Sequence, residues 1–255
     1  MSIKSVLSKS KKENGTLAIC RVSDLLSQHG FNKELLVKEF AALSQEIWGN
    51  ICNGDYVWTE DMLRSHFQIC PDCVLCAFEN GKLVATVTFM ITNDQSVKND
   101  KTWLAKTANG YLTNHLSNGD IMFGVDLSVS RRASPRVSDK LVQTAIFFGL
   151  FGKGLRYLFL GSRIPSYHKK SYIPIEQYVH GKTSTGRPLD PQLGFYTRNG
   201  FEIMEILPEY MEDPDSFNYG VLVKMDNPFY KFTKALPFLK PIVRFVGKLL
   251  FVQIP

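Results

Sequence analysis

Apolar and polar positions alternate along the chain with two different periods, and their order predicts a mixed α/β domain. Residues 16–22 (TLAICRV) have the apolar and β-branched density of a strand. Leu35, Leu36, Phe40, Leu43 and Ile47 then recur at helical spacing, which predicts an amphipathic helix over 32–49. A shorter helix follows over 59–70, with Thr59 placed to cap it. Two strands over 73–90 flank Asn80-Gly81, the dipeptide of a tight hairpin. Residues 92–118 are polar around a Gly-Tyr pair and read as a loop or short helix beside a cleft.

The most informative stretch is 123–161. Residues 123–129 alternate as a half-buried strand, and 130–138 carry three arginines and no acid. From Asp139 a helix is predicted by Leu141, Val142, Ala145, Ile146 and Leu150, with Gly152 and Gly154 ending it before a short strand at 155–160. A strand feeding a basic loop that opens a helix is a physical design for gripping phosphate, because the first-turn amides and the helix dipole both favour negative charge. Residues 163–189 are too long for an ordinary connection and hold Pro165, Pro174 and Pro188 with Tyr167, His168, Tyr172, Tyr178 and His180. Such a stretch is either a substrate-facing insertion or a solvated surface loop. A helix over 191–198 has Asp190 as its cap and Asn199-Gly200 as its stop, and strands over 201–207 and 219–225 close the pattern.

The order of strand, basic loop, helix and strand, followed by LGFYTRNGF, resembles the GNAT acyltransferase superfamily. Phe195, Tyr196, Gly200 and Phe201 fit that family's F-Y-x-x-x-G-F signature. Val129 and Arg132 fit its V-x-P-x-x-R-G-x-G-x-G loop, but Ala133, Ser134, Arg136 and Ser138 stand where glycines are usual, and Pro135 lies among them. The segments NGYL, NGD, GSRIPSYHK, EQYV and DPQLGFYTRNGF extend the likeness, over residues 16–226, to a GNAT subgroup sometimes fused to carbon–nitrogen hydrolases. The resemblance implies a strongly bent, mixed central sheet flanked by helices on both faces. It also implies an N-acyltransferase using acetyl-CoA or a longer acyl-CoA as co-substrate, with a small-molecule or peptide amine as acceptor.

By that resemblance the pantetheine arm pairs with the main chain of Leu127, Ser128 and Val129. Pyrophosphate sits on the amides of Arg136, Val137, Ser138 and Asp139, helped by the Arg131, Arg132 and Arg136 side chains. The missing glycines and Pro135 depart from this scheme, since glycine lets backbone approach phosphate and proline has no N–H. Either arginine side chains carry the grip, or the acyl group arrives on an acyl carrier protein, or the module binds without catalysing. Tyr196 is the candidate general acid, against a packing role under its helix. Asp126 is a candidate base or a partner of a loop arginine, and His168 a second candidate base or a surface histidine. No Ser–His–Asp elbow competes with this scheme.

Composition narrows the partners further. A net charge of +6 and pI near 9.0 suit an anionic ligand, yet no dense Lys/Arg run is interleaved with aromatics, which argues against nucleic acid. Cys70, Cys73 and Cys76 lack a fourth ligand at a fitting distance, and they read as buried small hydrophobes rather than a metal site. Residues 1–15 form a flexible basic N-terminus with no apolar signal region, and no apolar run approaches a membrane span, so a cytoplasmic location is expected. The acyltransferase domain then covers 16–227. Residues 228–255 carry Lys231, Lys234, Lys240, Arg244 and Lys248 with no acid, amid many apolar residues. Such a basic amphipathic tail either meets a membrane interface or docks on the domain or a second subunit.

Overall fold

The computed structural model describes residues 17–51, 54–236, 238 and 241. The expected N-terminal stretch 1–15 lies outside the described residues, as does most of the tail after 236. The chain opens with strand β1 (Leu17–Arg21), helix α1 (Val22–Leu26), helix α2 (Lys33–Trp48) and helix α3 (Glu60–Ile69). Asn32 caps α2 by accepting from the Leu35 amide, and Thr59 caps α3 by accepting from that of Met62. Strands β2 (Val74–Glu79) and β3 (Lys82–Thr92) form the predicted hairpin, with both Asn80 and Gly81 in the left-handed region.

Two short helices, α4 (Asp94–Asn99) and α5 (Trp103–Lys106), lead into β4 (Ile121–Val129). Helix α6 (Val137–Ile146) follows the basic loop and runs on as a π-helical turn over Phe147–Gly152. Gly149 lets that turn approach the sheet, because a Cβ there would collide with the Met122 sulfur. Then come β5 (Tyr157–Arg163), α7 (Ile175–His180), α8 (Pro191–Arg198), β6 (Glu202–Leu207), β7 (Gly220–Asp226) and α9 (Tyr230–Ala235).

The seven strands form one mixed sheet in the order β1-β2-β3-β4-β5-β7-β6, in which the β4–β5 pair is parallel and the rest antiparallel. Helices cover both faces. Helix α2 packs on β3 and β4, while α6 packs on β2 and β3. Alternation along β4 separates the two sides: Phe123 meets the Lys106 ammonium, whereas Met122 meets Gly149 beyond α6. Strand β2 reads as a continuous apolar run because both its faces are buried. Cys73 and Cys76 are part of that core, and Cys70 is buried at the end of α3. Among the described residues no helix is long and apolar enough to cross a membrane.

Candidate active site

Strands β4 and β5 pair only from Ile121↔Tyr157 to Gly124↔Leu160. Beyond that point β4 runs on to Val129 with its β5-side edge unpaired, while β5 continues against β7. A β-bulge helps part them. The β3–β4 register jumps from Thr88↔Asp126 to Phe89↔Gly124, leaving Val125 as the extra residue. The freed Val125 carbonyl accepts the Trp103 indole N–H at 3.0 Å. A cavity of about 90 Å³ occupies the opening, lined by both diverging strands, by α6, and by Tyr196 and Gln192 of α8.

Asp126 faces this cavity one residue past the bulge. The Ser128 hydroxyl, two residues on and so on the same face, donates to its carboxylate at 3.0 and 3.2 Å. That hydroxyl in turn accepts the Trp48 indole N–H at 2.8 Å. Burial pushes the Asp126 carboxyl up to about 6, against hydrogen bonds from Ser128, Trp58 and Trp48 that favour the anion. All three tryptophans of the chain therefore converge on residues 125–128 from positions 48, 58 and 103.

Tyr196 is buried at the cavity wall, wedged between Phe195 and Phe201. Burial pushes its phenol up to about 12; the nearby Asp126 charge adds to this and a Gln192 hydrogen bond opposes it. Its helix is fixed at the start by Asp190, which accepts from the Gln192 and Leu193 amides and from the Tyr178 hydroxyl. The cavity thus has a carboxyl that ionises just below neutrality beside a phenol that stays protonated.

Arg163, at the end of β5, closes the polar side. It grips Asp213 through two bonds of 2.7 Å and lies 5.5 Å over the Trp48 ring. Burial works against the Asp213 carboxylate, but Arg163 and Ser216 outweigh it and hold its pKa below the usual range. Tyr210 fills the same side, its ring resting where Gly161 and Gly220 have no side chain. Neither Arg163–Asp213 nor Gly161–Tyr210 is visible from local pattern, since each joins residues about 50 positions apart in sequence.

The basic loop is only partly free. The Arg132 guanidinium is paired to Glu46 at 2.8 Å, and the Ser134 amide donates to Glu79 at 3.0 Å. Arg131 and Arg136 are exposed, and Arg136 adopts the left-handed conformation (φ 69°) where the family pattern has glycine. Val137 is buried, and the Asp139 carboxylate bonds Arg198 and Asn199, tying α6 to α8 rather than facing outward. Leu127, Ser128 and Val129 line the unpaired edge of β4.

His168 lies away from this group. It is exposed beside Asp215 and bonds the Pro165 carbonyl at 2.7 Å, outside the cavity. Of the insertion 163–189 only Arg163 lines the cavity. Tyr167 and Tyr178 pack together at 4.8 Å and Tyr178 serves Asp190, whereas Tyr172 is exposed.

No protein-family model matches the chain. It is 33% identical over 196 residues to YkwB of Bacillus subtilis (strain 168), an uncharacterized N-acetyltransferase, a match spanning 76% of this chain and 86% of that one. It is 28% identical over 176 residues to YhcX of the same organism, a probable hydrolase, but spans only 34% of that longer protein. Among solved structures its fold is similar to the loading GNATL domain of CurA from Lyngbya majuscula (TM-score 0.67, 18% identity, 84% of this chain and 98% of that one). It is also similar to the GphF GNAT-like decarboxylase solved with isobutyryl-CoA (TM-score 0.63, 19% identity, 83% and 98%). With a parted parallel strand pair, a tyrosine of the F-Y-x-x-x-G-F signature at the opening, and 33% identity to an N-acetyltransferase over 76% of its length, this chain belongs to the GNAT acyltransferase superfamily.

Proposed function

We propose that the protein transfers an acyl group from a coenzyme A thioester to an amine at the β4–β5 opening. The observation that carries the reading is the pairing of Asp126 and Tyr196 on one cavity, with pKa values of about 6 and about 12. Near neutrality Asp126 is ionised and takes a proton from the incoming ammonium group, directly or through one water. The amine nitrogen then bonds to the thioester carbon, and an N–H of the unpaired β4 edge near Val129 stabilises the developing oxyanion. As the C–S bond breaks, Tyr196 gives its proton to the sulfur, and the phenolate regains one from the amine through solvent. The free edge at Leu127–Val129 and the first-turn amides of α6, with Arg131 and Arg136 exposed beside them, fit the arm and phosphates of such a donor.

A second reading of the donor rests on a specific observation. Glu46 and Glu79 already occupy Arg132 and the Ser134 amide, and Pro135 offers no N–H, so the loop holds phosphate with fewer groups than usual. An acyl group delivered on an acidic carrier protein would use the exposed arginines as a docking surface instead. Incubating the enzyme with an amine panel and either acetyl-CoA or acyl-loaded carrier protein, and following release of free thiol, tests both. Thiol release from the CoA donor supports the first reading; release only from the carrier selects the second.

At the start of the basic tail Phe232 is 63% exposed and Phe238 71%, with Lys231 and Lys234 alongside. We read this end of the chain as a peripheral contact for an anionic lipid surface. Vesicle flotation of the full chain against a version ending at Asn227 tests it, and equal flotation rules it out. The free thiols at Cys20, Cys70, Cys73 and Cys76 agree with a reducing, cytoplasmic setting.

A further inference from the structure

In the first half of the basic loop the groups that would meet an anion are already taken. Glu46, on the last turn of α2, accepts from the Ser130 hydroxyl at 2.7 Å, from the Arg132 guanidinium at 2.8 Å and from the Arg131 amide. The Arg132 amide turns back onto the Ser130 hydroxyl, and the Ala133 amide onto the Ser130 carbonyl. Glu79, at the end of β2, accepts from the Ser134 amide, and Pro135 has no N–H. The second half is open. Among the described residues no side chain caps α6, so its first-turn amides are left for a ligand, with Arg136 exposed beside them.

A carboxylate held by a hydroxyl, an amide and a guanidinium has the contacts of a bound phosphate. The Glu46 pKa lies below the usual carboxylate range, chiefly through the Ser130 hydrogen bond with Arg132 adding to it, so this side chain is an anion near neutrality. Its position is also firm. Two residues on, Trp48 bonds Ser128, so the last turn of α2 is tied at two points to β4 and the loop after it. From this geometry we infer that Glu46 is a specificity-determining residue of the donor site, an internal anion that fills the seat at 130–132 and confines the donor's phosphates to 136–139. This rests on the acyl-CoA reading above and names what limits CoA affinity there. A phosphate reaching for Arg132 must either take that guanidinium from Glu46 or lie beside the Glu46 charge, and both weaken the grip.

The test is calorimetric titration of coenzyme A into the full chain, Glu46→Gln, Arg132→Ala and the double variant, which needs no knowledge of the acceptor. Gln keeps an oxygen for the Ser130 hydroxyl and removes only the charge. Glu46→Gln should bind coenzyme A about fivefold more tightly than the native chain at low salt, the scale of an exposed ion pair changing partners. The gain should fade at about 1 M salt, where such pairs are screened. It should also vanish when Arg132→Ala is added, because the released guanidinium supplies it. Glu46→Ala carries the same test if the Gln variant does not fold. Unchanged or weaker binding by Glu46→Gln, or a gain that survives Arg132→Ala or high salt, would overturn the role of Glu46 and leave the acyl-CoA reading standing. Binding by the variant alone would uphold both. Failure of all four proteins to bind coenzyme A would overturn the acyl-CoA reading and this inference with it.

Discussion

Trp48 donates its indole N–H to the Ser128 hydroxyl at 2.8 Å across 80 residues of sequence, and this contact fixes the direction in which Ser128 points its own proton. With one of its lone pairs taken by the Trp48 N–H, Ser128 donates to Asp126 and holds that carboxylate against the cavity. The acidity of Asp126 is thus the result of two opposed effects, burial raising its pKa and a hydrogen-bonded cage lowering it, with burial the larger.

Asp126→Asn removes the proposed base while keeping an oxygen for Ser128. The expected outcome is a loss of roughly 10²–10³ in kcat, together with absence of the rise in kcat/KM around pH 6 that is predicted for the native enzyme. Stability should move the other way. A carboxyl whose pKa is raised on folding binds its proton more tightly in the native state, so stability is lost as pH climbs from about 4 to about 6. At pH 7 the variant should be more stable, by as much as roughly 3 kcal/mol, in chemical denaturation. A variant that keeps the native pH–rate profile would remove Asp126 from the chemistry.

Tyr196→Phe keeps the aromatic packing against Phe195 and Phe201 and deletes only the hydroxyl. We expect kcat to fall about 100-fold, with donor affinity within twofold and an unchanged melting temperature. A Tyr196 that serves packing alone would leave the Phe variant nearly fully active.

Asp213→Asn should be strongly destabilising. It removes the carboxylate charge that faces the buried Arg163 guanidinium, and breaking such a pair from one side costs about 3–5 kcal/mol in equilibrium unfolding. Because the Asp213 pKa lies below normal in the native state, its contribution is present above the unfolded value and is lost as pH falls through the native one. Acid unfolding should therefore shift to higher pH on disruption of a neighbour such as Ser216, which also bonds Asp213.

Arg131→Ala and Arg136→Ala should each raise KM for a CoA donor several-fold without changing kcat, and the pair together should lower the salt dependence of binding. Arg132→Ala should do less, because Glu46 already neutralises that side chain. A larger effect at Arg132 than at the other two, in the same steady-state comparison, would contradict this placement of the phosphates.

Much of the fold could be read from the chain because its signals are local. Asn80-Gly81, the caps at Thr59 and Asp190, and the apolar stripes of α2 and α6 act over four or five residues, and each appears where the pattern puts it. The candidate site was legible only in part. Tyr196 and the edge of β4 sit in a recognisable signature, whereas Trp48, Trp103, Arg163 and Tyr210 reach the cavity, and Trp58 the Asp126 carboxylate, from five separate elements or loops. The bulge at Val125 likewise depends on how β3 pairs with β4, which no short window records. In the insertion after Arg163, Tyr167 and Tyr178 are buried among the domain's own residues while Tyr172 is exposed, a division that composition alone does not record.

The central claim is that the opening between β4 and β5 receives a CoA thioester. Its most direct test is a titration of the isotopically labelled protein with coenzyme A, following backbone amides by NMR. Saturable one-to-one binding, with the largest shifts at residues 127–129 and 136–139, is the predicted result. Absence of binding, or shifts confined to other surfaces, would contradict it.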